Sequence, residues 1–85
     1  MTSTDRKTDA VLMAGLTTAR RMLHNRKFLH LKSGQIYHVT DISYREHDMV
    51  LTATYTPIGP FYGLLTFNRP ISEFIPARYQ VIEDM

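Results

Sequence analysis

Two hydrophobic periods divide the chain at Phe28. Before that point Leu12, Leu16, Ala19 and Leu23 recur at a four-three-four spacing, with Val11 and Met22 widening the stripe. That spacing lines one face of a helix. Thr8 or Asp9 stands where an N-cap is wanted, and Arg20, Arg21 and Arg26 lie near the far end, as the macrodipole favours. The pattern predicts a helix over residues 8–26, preceded by a short polar tail over 1–7 that is expected to be disordered. Gly15 inside the helix costs about 1 kcal/mol relative to alanine, which points to a close approach of another stretch of backbone.

From Phe28 onward the period falls to two. Phe28 to Lys32 and Gln35 to Ile42 flank Ser33-Gly34 and read as a hairpin with a two-residue loop, pairing Phe28 with Val39. One face then carries Leu29, Leu31 and Ile36, the other Phe28, Tyr37 and Val39, so both faces need a cover. A polar bend is expected over Ser43 to Asp48. Met49 to Thr56 alternates, with Met49, Leu51, Ala53 and Tyr55 inward and a threonine face outward. Pro57-Ile58-Gly59-Pro60 reads as a loop and Phe61 to Phe67 as a fourth strand. A helical turn around Pro70 precedes a last strand, Arg78 to Glu83. The expected fold is α+β: an N-terminal amphipathic helix packed on a five-stranded antiparallel SH3-like small barrel or curved sheet. The sheet part would span 28–83 within a single domain of 1–85.

Charge adds an asymmetry. Met1 to Gly34 holds seven bases and two acids, a balance of +5, whereas Gln35 to Met85 holds three bases and six acids, a balance of −3. Such a dipolar molecule suits a charged partner or weak self-association, so a monomer or weak homodimer is expected. Cysteine is absent, which fits a reducing cytoplasm and removes thiolate metal sites. No apolar run approaches the ~18–20 residues that span a bilayer, and Arg20 and Arg21 interrupt any leader-like stretch, so neither a membrane span nor a secretory signal is expected.

Catalysis finds no support in the pattern. Ser3, Ser33, Ser43 and Ser72 lack a nucleophile-elbow context. His24, His30, His38 and His47 lack zinc spacing, and in the hairpin His30 and His38 point to opposite faces. No enzyme, cofactor or metal is expected. Two segments remain as candidate surfaces. Tyr55, Pro57, Ile58, Pro60, Phe61 and Tyr62 form an aromatic, apolar segment that either folds over the core or stands exposed as a protein-binding site. Arg20, Arg21, Arg26, Lys27 and Lys32 form a basic run that is either a solvated helix end or a nucleic-acid contact. A non-enzymatic module that binds a protein partner is the leading expectation, with nucleic-acid binding as the alternative.

Several residues carry a likeness to a known family. His30-x-Lys32, Gly34-x-x-Tyr37-x-Val39, Met49-Val50, Tyr55, Gly63-Leu64 and Arg69-Pro70-x-x-x-Phe74 resemble the bacterial and phage domain-of-unknown-function family 1653. The likeness covers about two-thirds of the chain and leaves out the helix. The chain departs from the family pattern by one extra residue before Gly34 and two before Arg69-Pro70. The resemblance implies a compact β-rich domain of bacterial or phage origin, with no established activity. Arg69 and Glu73 are its polar positions, expected to pair and fix the closing turn.

Overall fold

The computed structural model describes residues 8–74 and 76–82. The expected tail over 1–7 and the end of the last strand at Glu83 lie outside them. Helix α1 runs from Asp9 to Leu23, with the Thr8 side chain accepting the Val11 N–H at 3.3 Å. It stops three residues earlier than its spacing suggested. His24 leaves the helical conformation and Asn25 takes a φ of 65°, a left-handed position that asparagine tolerates. The chain then enters β1 (Lys27–His30), β2 (Ile36–Arg45), β3 (Val50–Pro57), β4 (Phe67–Pro70), a 3-10 turn (Ile71–Glu73) and β5 (Tyr79–Ile82). All pairings are antiparallel, in the order β4-β3-β2-β1-β5.

The architecture is therefore α+β with an open five-stranded sheet; β4 and β5 lie at opposite edges, so the sheet does not close into a barrel. One face carries Phe28, Val39, Ile42, Ala53, Tyr55 and Tyr79, all buried. Helix α1 covers half of this face through Leu16, Ala19 and Leu23, so the helix stripe is satisfied within its own chain. The 3-10 turn covers the other half. There Phe74 meets Phe28, Tyr55 and Tyr79 at ring-centroid distances of 5.3, 5.6 and 4.8 Å. Arg69 donates to Glu73 at 2.6 Å, the pairing expected to fix this turn.

A β-bulge lets β2 serve that face along its whole length. Tyr37 and Val39 face inward at odd positions, Ile42 and Tyr44 at even ones, and the register shifts between Val39 and Asp41. The end of α1 holds the bulge: His24 donates to the Thr40 carbonyl at 3.1 Å and Arg20 to the Ile42 carbonyl at 3.3 Å. The expected bend at Ser43 is thus strand as far as Arg45, and the turn begins at Glu46. The β1–β2 register also differs, pairing Phe28 with Tyr37 rather than Val39. Either favoured two-residue turn would need positive φ at its first position, Ser33, and of the two residues only Gly34 has it, at 75°. The five residues from Leu31 to Gln35 form the loop instead, and the two-residue slip leaves every side chain on its expected face.

Gly15 does mark a close approach, though of a side chain and not of backbone. The Tyr44 hydroxyl donates to the Leu12 carbonyl at 2.7 Å and would lie 2.7 Å from a Cβ at position 15. Gly15→Ala is expected to lower the melting temperature despite a gain in helix propensity of about 1 kcal/mol. In a Tyr44→Phe background the same substitution is expected to raise it, because the colliding oxygen is gone. A thermal double-mutant cycle measures the reversal of sign.

Candidate interaction surface

The second face of the sheet lacks a helix. Leu29, Ile36, His38, Thr54 and Thr56 lie on it by strand register. Its cover is partial and comes from the β3–β4 connection, residues 58–66, which curls back over one corner. The Ile58 N–H bonds the Ile36 carbonyl at 2.9 Å, and the Gln35 amide donates to the Ile58 carbonyl at 3.2 Å. Thr56, expected to face solvent, is fully buried under this loop. Its hydroxyl accepts the Gly63 N–H at 2.9 Å and donates to the Leu65 carbonyl at 2.7 Å. Gly63 adopts a φ of 79°, which suits glycine and turns the chain back at that point.

Residues 61–65 are consequently turns and not the expected fourth strand, which begins only at Phe67. Backbone bonds from Tyr62 to Gly59 and from both Leu64 and Leu65 to Phe61 fix their shape. Tyr62 stacks on His38 at 5.8 Å and shares a 2.6 Å hydrogen bond with its Nδ1. Burial lowers the His38 pKa, helped by the charges of Lys27 and His24, so the neutral ring meets Tyr62 at neutral pH.

What this ordered loop displays is apolar. Leu64 is 82% exposed and Phe61 61%, and Ile58, Tyr62 and Leu65 are also exposed. Isolated exposed apolar residues are ordinary, but five within eight positions form a patch. The segment itself is uncharged, since no Asp, Glu, Lys, Arg or His occurs between Asp48 and Arg69, and the basic groups beside it are His38, on Tyr62, and Lys27 next to His38. That uncharged stretch was a legible signal that the reading of Tyr55 to Tyr62 used only in part.

The candidates from the sequence sort as follows. Ile58, Pro60, Phe61 and Tyr62 lie on the exposed loop, and Pro57 ends β3 at its base. Tyr55 does not belong with them, being 5% exposed and packed in the aromatic core against Phe74. Leu64 and Leu65 join the patch, having been assigned to a strand. Within the basic run, Lys32 stands apart from Lys27. Arg20 binds the bulge and lies 3.8 Å from Asp41, and Arg26 donates to the Met22 carbonyl at 3.1 Å. Arg21 stands exposed on the helix. Lys27 faces the second side of the sheet beside His38, while Lys32 lies beyond the other end of β1, roughly 15 Å away at a strand rise of ~3.3 Å per residue. No helix among the described residues is long and apolar enough to cross a membrane.

The Thr56 hydroxyl is the test of the loop's order. Thr56→Val keeps the shape but leaves the Gly63 N–H and the Leu65 carbonyl without their partner, at an expected cost of about 1–2 kcal/mol. Amide exchange at Gly63 is expected to accelerate far more than exchange at Val39 on the opposite face. No family model, no curated protein and no solved structure matches this chain.

Proposed function

We propose that the protein is a non-enzymatic interaction module that holds a protein partner through the 58–65 loop. The single observation that carries this reading is an ordered loop, itself free of charged residues, that presents Phe61 and Leu64 outward. Side chains of this kind anchor interfaces when they enter a pocket on the partner. The loop's backbone is already held by Thr56 and by its own turns, so little ordering cost remains on binding. The partner's complementary feature is an apolar groove, and the association is expected to resist salt. A photo-reactive residue at position 64 tests it in the native host. A discrete cross-linked protein from position 64, with none from exposed position 21, is the expected result. Cross-linking from position 21 alone would overturn the assignment.

A further inference from the structure

A different part of the molecule, on the opposite face of the sheet, carries a second site. Beyond the ground covered by α1, at the margin of the 3-10 turn, two neighbouring cavities share part of their lining. The first, about 200 Å³, is walled by Tyr37, Tyr55, Phe67 and Tyr79. At ~30 Å³ per water it has the room of about seven waters, the scale of one flat ring system. The second, about 440 Å³, is lined by Lys32, Arg78 and Ala77. His30, Arg69 and Tyr79 line both.

The two chambers differ in chemistry. Rings in the first pack edge to face, with Tyr37 at 5.1 Å from Tyr55 and 6.3 Å from Phe67, so Tyr55 is closed off and the half-buried Tyr37 and the exposed Phe67 offer the apolar surface a flat ring could lie against. Lys32, Arg69 and Arg78 bring three fixed positive charges to the second. Among the described residues Glu73 opposes them, at 2.6 Å from Arg69 and 3.8 Å from Arg78. Lys32 has no carboxylate partner among the described residues. The Tyr55 hydroxyl accepts from Arg69 at 3.4 Å, so the guanidinium is oriented where the two chambers share their lining. Burial, then the neighbouring Tyr55, raises the Tyr79 pKa, so this phenol remains a neutral hydrogen-bonding group.

We propose that this cleft binds a phosphate-bearing nucleobase, with the flat ring laid against Tyr37 and Phe67 at the cavity's open side and the phosphate held by Lys32, Arg69 and Arg78. The same chemistry is offered by a free nucleotide and by one unit of a single strand. Stacking is tolerant of base identity, while the cations supply the salt-sensitive part of the affinity.

Titration of the full chain with uridine monophosphate, uridine, inorganic phosphate and an eight-nucleotide thymidine strand tests the proposal by NMR. Uridine monophosphate is expected to shift Tyr37, Phe67 and Arg69 resonances, and to bind at least tenfold more tightly than uridine or phosphate alone. Lys32→Gln with Arg78→Gln, both exposed positions, is expected to weaken it at least tenfold without changing the melting temperature. A strand that binds more tightly than the mononucleotide identifies a single strand as the source; equal or weaker binding identifies the free nucleotide. Absence of cleft shifts at millimolar ligand would overturn the proposal. So would phosphate acting as strongly as the nucleotide, or an unaffected double variant.

Discussion

Phe28→Ala is expected to destabilise the domain by about 3–5 kcal/mol, the range for emptying a buried phenylalanine site. Phe28 is 3% exposed and meets Phe74 at 5.3 Å and Tyr79 at 6.4 Å, so the vacated volume lies where β1, β5 and the 3-10 turn converge. A chain of 85 residues has a net stability of about 4–13 kcal/mol, so the loss would take a large share of it. Neither neighbour can collapse into the gap, since Phe74 is already engaged by Tyr55 and Tyr79. Urea denaturation followed by circular dichroism measures the effect. A midpoint unchanged within error would mean that the aromatic cluster is not a core.

The second large effect concerns binding and leaves folding alone. Phe61→Ser with Leu64→Ser removes the two most exposed large side chains of the loop. Truncating an interface anchor costs about 2 kcal/mol or more, which is roughly thirtyfold in affinity, and two together are expected to abolish retention of the cross-linked partner. The melting temperature is expected to change little, because most of the surface of these side chains is exposed in the free protein. Thermal denaturation beside a pull-down separates the two outcomes.

The sequence made the fold legible where local rules decide and less so where distant groups do. The β1–β2 faces were readable because a two-residue slip preserves alternation, even though Ser33-Gly34 could not make the tight loop. The bulge left a trace in the switch from Tyr37 and Val39 to Ile42 and Tyr44, but its stability comes from His24 and Arg20 on the helix. Residues 61–65 have strand-like composition; what bends them is the Thr56 hydroxyl and the left-handed Gly63, a contact across seven residues. Half of the candidate loop was therefore visible as an aromatic segment, and Leu64 and Leu65 were not. Lys32 looked continuous with the other bases only because it follows them in sequence; β1 carries it toward the other end of the strand.

The salt dependence of partner retention tests the central claim most directly. The cross-linked partner would be retained on wild-type protein, on the Phe61→Ser, Leu64→Ser variant, and on a variant with Arg20, Arg21, Arg26 and Lys27 changed to Gln, at low and moderate salt. An apolar surface predicts that wild type and the charge variant hold the partner equally at both salt concentrations, and that the loop variant holds it at neither. Loss of retention in the charge variant, or a steep fall of wild-type binding with salt while the loop variant binds normally, would contradict the account.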